Sequence, residues 1–313
     1  MRMLITGGAG FIGSYLVDHY QRIADVTVLD NFHTGSAENL NHCQCRIIEG
    51  SVEDERLTRE ACKKIDVVFH LAGITSIAES VRKPEVCFRI NSGGTLNLLR
   101  GAVQMRVRRF VFASSAAIYG IRNKISSRDR TNGMLPTPYA LSKLQSEYQC
   151  DKFRRRFGLL TLSLRYFNVY GPRQNPKNVI SVFLQRARHN LPLHIHGDGR
   201  QTRDLVHVED VVRATVLAME KSIIGGCDVG TGKAVPIGLL AELVTDLLGS
   251  KSKIRPMSGR LLDVMHSRAN IKRLRELGFE PRISLFEGLE ALVACPGSIE
   301  PRGPRAKSFS VKR

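Results

Sequence analysis

Tyr139 and Lys143 stand four residues apart in Tyr139-Ala140-Leu141-Ser142-Lys143, so on a helix they share one face. A phenol is a poor base at neutral pH, because its pKa is about 10. A nearby ammonium and a cationic ring both stabilise phenolate and bring it within working range. The spacing alone recurs by chance in many helices, so the pair needs company. Ser114-Ser115 supplies it, since these residues follow the apolar run Phe110–Ala113. That order puts a hydroxyl at the carboxyl edge of a sheet, where ligands bind in doubly wound folds.

A second element with chemistry opens the chain. Thr6-Gly7-Gly8-Ala9-Gly10-Phe11-Ile12-Gly13 lies between the short apolar run Met3–Thr6 and the helical pattern Gly13–Arg22. Gly8, Gly10 and Gly13 satisfy G-x-G-x-x-G, and Gly7, Gly10 and Gly13 satisfy G-x-x-G-x-x-G. Glycines permit a tight turn and let the backbone approach a pyrophosphate, to which the helix N-terminus offers N–H groups and positive dipole. Asp30 ends the next β-branched run, Val26–Asp30. A carboxylate there can accept hydrogen bonds from the adenosine ribose hydroxyls and repels a 2′-phosphate, which favours NAD over NADP.

These residues must be positioned by alternating strands and helices. Further strands are expected at Arg46–Glu49, Val67–Leu71, Phe110–Ala113 and Leu160–Leu164, and helices at Val52–Lys64, Val86–Met105 and Pro138–Phe157. Continuous apolar strands separated by helices imply a parallel sheet covered on both faces. The fold class expected is therefore α/β, a Rossmann-like doubly wound parallel sheet with a smaller C-terminal substrate domain. Residues 1–167 form the first domain, with 203–225 returning to it, and 168–296 form mainly the second. There the helical patterns are Val208–Lys221, Ile237–Leu248 and Ala269–Leu277. Residues 297–313, basic and poor in apolar periodicity, read as a disordered tail.

Composition narrows the function classes. The chain has 313 residues, 47 Lys+Arg against 29 Asp+Glu and a net charge of +18. No apolar run approaches the roughly 20 residues that span a bilayer, and no signal-peptide layout is present. The cysteines at 43, 45, 62, 87, 150, 227 and 295 are scattered and odd in number, which suits reduced thiols in the cytoplasm. Cys43 and Cys45 form a lone C-x-C, too little for a metal site, and none is expected. The charge lacks a zinc-finger, RNP or helix-turn-helix companion, so nucleic acid is not the expected partner. Much of it sits at helix ends and in the tail, at Arg302, Arg305, Lys307, Lys312 and Arg313. It can steer polyanionic ligands.

Taken together, the motifs resemble the extended short-chain dehydrogenase/reductase family, and within it the nucleotide-sugar epimerases akin to UDP-glucose 4-epimerase. They are TGGAGFIG at 6–13, LDNFHTG at 29–35, HLAG at 70–73, SSAAIYG at 114–120, YALSK at 139–143, LRYFNVYGPRQ at 164–174, GDGRQTRDLVHVEDV at 197–211 and DVGTG at 228–232. The resemblance runs from Met3 to about Leu289. It implies that Tyr139 is the acid/base on a sugar hydroxyl, that Lys143 binds the nicotinamide ribose and tunes Tyr139, and that Ser115 hydrogen-bonds the same hydroxyl. It implies an NAD site of Gly7, Gly10, Phe11, Ile12, Gly13, Asp30, Asn31, Ser51, Val52, Leu71, Ala72, Gly73, Tyr139 and Lys143, with Asn91 in support. It implies that Asn168 contacts the sugar diphosphate and that Arg203 and Arg260 clamp its phosphates, as guanidinium suits phosphate oxygens. A homodimer formed by the two long helices is also implied.

Departures from the family pattern bear on the reaction. Dehydratases and decarboxylases of this type carry acidic residues after the catalytic-strand serine, whereas this chain has Ala116 and Ala117. The expectation is C4 epimerisation of a UDP-hexose, with a nucleotide-sugar dehydrogenase, reductase or dehydratase as the alternative. A remoter alternative is a non-catalytic NAD-binding protein using its basic surface for nucleic acid. The usual adenine-reading Asp is replaced by the run Gly50-Ser51-Val52.

Overall fold

The computed structural model describes residues 1–120, 137–259 and 264–295. The basic tail and Arg260 lie outside them. The first part of the chain runs β1 (Arg2–Thr6), α1 (Phe11–Tyr20), β2 (Asp25–Asp30), β3 (Arg46–Glu49), α2 (Glu55–Ala61), β4 (Val67–His70), α3 (Ile77–Arg82), α4 (Pro84–Phe88), α5 (Gly94–Gln104), β5 (Arg109–Ser115), α6 (Pro138–Phe157) and β6 (Leu160–Tyr166). Then follow β7 (Asn168–Tyr170), α7 (Val179–Arg188), β8 (Leu193–His196), β9 (Thr202–Arg203), β10 (Leu205–His207), α8 (Val208–Glu220), β11 (Gly225–Val229), β12 (Val235–Pro236), α9 (Ile237–Leu247), β13 (Ile254–Met257), α10 (Lys272–Arg275) and α11 (Leu285–Ala294).

Seven strands form one sheet in the order β11-β6-β5-β4-β1-β2-β3. All its pairings are parallel. Chain order reverses between β1 and β4, the switch point where doubly wound folds bind ligands. Alternate residues explain the unbroken apolar strands. Met3, Ile5, Val28 and Phe69 pack on one face with Leu16, Val17 and Val211 of α1 and α8. Leu4, Leu29, Val68 and Phe110 pack on the other with Leu98, Leu99, Cys150 and Phe153 of α5 and α6. A separate core joins Ile180, Phe183, Leu184, Leu240, Val244 and Leu289 of α7, α9 and α11.

Two expected helices differ from their sequence pattern. The stretch Val86–Met105 is not one α-helix, because a π-helical turn at Arg89–Gly93 separates α4 from α5. The pattern at Ala269–Leu277 yields only the single turn of α10. Helix α7 is unforeseen, as it rises from a segment crowded with Gly, Pro and Asn.

Helix α6 carries Tyr139 and Lys143, and its ends are set locally. Thr137 caps it by accepting from the Ala140 amide, Pro138 opens the first turn, and Gly158 closes it in the left-handed region at φ 70°. Its seat on the sheet is electrostatic. Arg165 on β6 donates from Nε and Nη2 to the two oxygens of Glu147, each at 2.9 Å, with both side chains almost wholly buried. Ser114 adds a hydrogen bond to Glu147 at 2.6 Å, and Tyr119 links Arg165 to Asp228 on β11. Among the described residues, no helix is long and apolar enough to cross a membrane. Arg165→Met leaves Glu147 buried without its cation. It is expected to cost about 3–5 kcal/mol in urea denaturation, partly recovered by adding Glu147→Gln.

Candidate active site

The glycine turn sits where β1 meets α1. Gly7 takes φ +71°, and a Cβ there would lie 2.7 Å from the Ala72 nitrogen. A Cβ on Gly13 would lie 2.1 Å from the Gly7 carbonyl oxygen. Backbone therefore passes so close to backbone that only glycine fits. Gly10 precedes Phe11 and Ile12 at the start of α1, and no side chain caps that end. Its first amides point from a positive helix end towards the switch point, as a pyrophosphate requires.

Asp30 closes β2, buried and oriented by the glycine turn and by its own loop. It accepts from the Ala9 amide at 2.9 Å and the Phe32 amide at 2.8 Å. Asn31 beside it accepts from the His33 amide. Ser51 shares its hydroxyl with Glu53, and the Val52 carbonyl accepts from Asn97. Leu71, Ala72 and Gly73 leave β4 across the same edge, with the Leu71 amide on the Thr6 carbonyl at 3.0 Å. These residues fit an adenine dinucleotide: an uncapped helix end for phosphates, a carboxylate for the ribose, and a glycine cradle that a Cβ would fill.

The catalytic candidates meet at the ends of β5 and α6. Lys143 is 4% exposed. Its ammonium donates to the Ala113 carbonyl at 2.8 Å and stands 4.9 Å from the Phe112 ring centre. Burial pushes its pKa from 10.5 down to about 8. Burial pushes the Tyr139 phenol up from its ordinary value, and a hydrogen bond with Ser115 pulls it partly back. Ser115 also accepts from the Ala117 amide at 3.2 Å, inside the turn Ala116–Tyr119. A Cβ on Gly73 would lie 2.8 Å from Asn91 Oδ1 and 3.8 Å from Lys143 Nζ, so the cofactor-side loop abuts the catalytic helix.

Asn91 holds that junction from the π turn. Its Oδ1 accepts from the Ile74 amide at 2.8 Å, and its Nδ2 donates to the Ile74 carbonyl at 3.1 Å and to Ser142 Oγ at 2.9 Å. Ser142 in turn donates to the Tyr139 carbonyl at 2.8 Å.

The substrate candidates lie beyond β6. Tyr166 pairs in register with Ser115, so Asn168, two residues on, begins at the same edge. The Asn168 amide donates to the Asp204 carbonyl at 3.0 Å, which makes Asn168 a close neighbour of Arg203. Arg203 donates to the Thr202 and Val264 carbonyls. The Asp204 carboxylate is committed to the amides of Thr231, Gly232 and Ala269, and Asp210 to Arg213 and the amides of Arg282 and Ile283. Arg260 lies outside the described residues.

Sequence reasoning missed a clamp between these halves. Arg173 donates to Asp18 Oδ2 at 2.7 Å and Ser14 Oγ at 3.0 Å, and its guanidinium stacks 4.7 Å from the Tyr15 ring centre. The other Asp18 oxygen meets His42 at 2.7 Å and accepts from Cys43 at 3.3 Å. Nothing in the local sequence joins these residues; only the fold does.

The family model for the NAD dependent epimerase/dehydratase family matches residues 3–228. The chain belongs to that family. NAD is accordingly its cofactor. A putative UDP-glucose 4-epimerase of Methanocaldococcus jannaschii is 35% identical over 300 residues, covering 93% of this chain and 97% of that protein. The structure of a UDP-glucose 4-epimerase from Thermotoga maritima with UDP-glucose superposes with a TM-score of 0.89 at 38% identity, covering 94% of this chain and 98% of the other. That of the Thermus thermophilus UDP-glucose 4-epimerase complexed with NAD gives 0.87 at 34% identity, covering 94% and 98%. Decarboxylases and a dehydratase occur among the same family relatives.

The depressed Lys143 pKa has a stability consequence in cofactor-free protein. Between about pH 8 and 10.5 the unfolded chain binds a proton at Lys143 that the folded chain does not. Stability therefore rises with pH across that window, and below it the ammonium bears the full burial cost. The difference in unfolding free energy between wild type and Lys143→Met is expected to move in favour of wild type from pH 8 to 10.5, read by urea denaturation at each pH.

Proposed function

We propose that this protein is a nucleotide-sugar 4-epimerase that inverts C4 of a UDP-hexose. The observation that carries the reading is a single acid/base centre: Tyr139 hydrogen-bonded to Ser115, with Lys143 one turn away and only methyl groups at Ala116 and Ala117. Eliminating water or carbon dioxide calls for a further proton-transferring side chain there, and alanine has none. The UDP-glucose 4-epimerases among the relatives support the same choice.

Bound NAD supplies reversible two-electron chemistry and is restored within each turnover. Gly7, Gly10, Phe11, Ile12 and Gly13 hold its pyrophosphate, Asp30 and Asn31 its adenosine ribose, and Ser51, Val52, Leu71, Ala72 and Gly73 its adenine and nicotinamide sides. Tyr139 as phenolate takes the proton of the C4 hydroxyl and later returns one. Ser115 holds the C4 oxygen in line with the phenol. The Lys143 ammonium favours the phenolate, offsetting the effect of burial on Tyr139. Asn168 and Arg203, with Arg260, bind the diphosphate. Holding the nucleotide there while gripping the hexose loosely lets the 4-keto sugar present its other face.

The same reading includes a homodimer. Helix α6 exposes Leu141 and Tyr148, the latter at 69%, and α3 exposes Ile77 and Val81. Such apolar groups on neighbouring helices suit a second copy. Light scattering at micromolar concentration is expected to give twice the chain mass, and a monomer rejects this part.

The decisive assay incubates the NAD-loaded protein with UDP-hexoses and follows C4 configuration by NMR. Tyr139→Phe is expected to lower kcat by at least about 10²-fold while NAD is retained. Stoichiometric NADH accumulation without epimer would overturn the reading in favour of a dehydrogenase.

A further inference from the structure

His70 ends β4 and is 1% exposed. Its ring packs against Phe110 and Phe112, with centroids 5.9 and 5.7 Å away. Both ring nitrogens have hydroxyl partners: Nδ1 is 2.7 Å from Thr6 Oγ1, and Nε2 is 3.0 Å from Thr95 Oγ1. Neither partner touches the reacting groups assigned above, so the imidazole needs its own account.

The neighbours decide which nitrogen carries the hydrogen. Thr95 Oγ1 lies 2.6 Å from the Asn91 carbonyl, which can only accept, so the one hydroxyl proton of Thr95 is committed there. Nε2 must then carry a hydrogen and donate to the Thr95 oxygen. That leaves Nδ1 as an acceptor, to which the Thr6 hydroxyl donates. The Thr6 oxygen still has a lone pair, and the Ala72 amide donates to it at 3.3 Å. Every donor in this chain finds one acceptor. Burial and the nearby Lys143 charge push the imidazole pKa down to about 3, so the ring stays neutral.

The ends of this chain are the two halves of the site. Thr6 immediately precedes Gly7, and Ala72 lines the cofactor edge. At the other end Asn91 grips Ile74 and Ser142, and Ser142 holds the Tyr139 carbonyl. We propose that His70, held as its Nε2–H tautomer, is a positioning residue that fixes the glycine-loop strand relative to the Asn91 turn and thereby places NAD against Tyr139. The imidazole is the rigid spacer, because its two nitrogens face opposite ways and fix both hydroxyls at once.

The kinetic arm of the test rests on the epimerase reading, and two other arms do not. Long-range proton–nitrogen NMR on the full chain is expected to find His70 with hydrogen on Nε2 and no titration between pH 8 and 5.5. The opposite tautomer, or a midpoint near 6.5, overturns the proposal. His70→Leu is expected to lower kcat for C4 inversion by about tenfold or more and to weaken NAD retention. The KM for the UDP-sugar should move less than about twofold, because Asn168 and Arg203 lie outside the chain of hydrogen bonds. His70→Gln, whose amide can still donate towards Thr95, should recover most of the lost kcat and NAD affinity. A folded Leu variant with kcat and NAD affinity near wild type, or a Gln variant as impaired as Leu, overturns the proposal. If the Leu variant does not fold, the Gln variant and the tautomer still decide. A wild-type protein that binds NAD but inverts no sugar counts against the epimerase reading alone, since tautomer and NAD affinity remain measurable.

Discussion

Glu147 and Arg165 are tolerable only in each other's company. Each is almost wholly removed from water, and a lone buried charge costs several kcal/mol. The bidentate geometry and the added Ser114 hydroxyl satisfy both carboxylate oxygens. Because Ser114 is on β5, Arg165 on β6 and Glu147 on α6, the pair pins the catalytic helix to two strands at once. Lys143 and Tyr139 lie about one and two turns before Glu147 on that helix, and Ser115 follows Ser114. Through Tyr119, Asp228 extends the network to the edge strand β11. The relative placement of the three candidate side chains thus descends from one ion pair.

How much of this the sequence reveals depends on range along the chain. The glycine turn is legible because strand, turn and helix are contiguous, and the close contact between Gly13 and Gly7 spans six positions. Asp30 is legible because it ends the next strand, and Tyr139 and Lys143 because helical spacing is local. What escapes is chemistry assembled across the fold. Glu147 and Arg165 meet through packing, as do Asp18, Arg173, His42 and Cys43. The lone C-x-C says nothing of the carboxylate that Cys43 faces. Asp204 adjoins Arg203 in the chain, yet its carboxylate oxygens are spent on backbone amides of the 231–232 loop and of Ala269. Helix α7 escapes for a different reason: its neighbours are rich in residues that break helices.

The large positive charge divides into placed and unplaced parts. Lys143 sits in a desolvated niche that alters its acidity, and Arg165 and Arg173 hold the architecture together. Each acts over a few ångströms. Other described cations, such as Arg155 and Lys272, sit on exposed helix faces, where salt screens them within a Debye length. Net charge therefore carries little functional information here, whereas position carries a great deal.

The π turn at Arg89–Gly93 also governs phase. Each residue in an α-helix advances about 100°, so a turn holding one extra residue rotates everything after it by that angle. Upstream, the turn aims Asn91 at Ile74 and Ser142. Downstream, the rotated α5 still delivers Leu98, Leu99 and Ala102 to the core. A regular helix through this stretch could satisfy one of those two orientations but not both. The irregularity is the means by which one continuous rod serves two differently oriented surfaces.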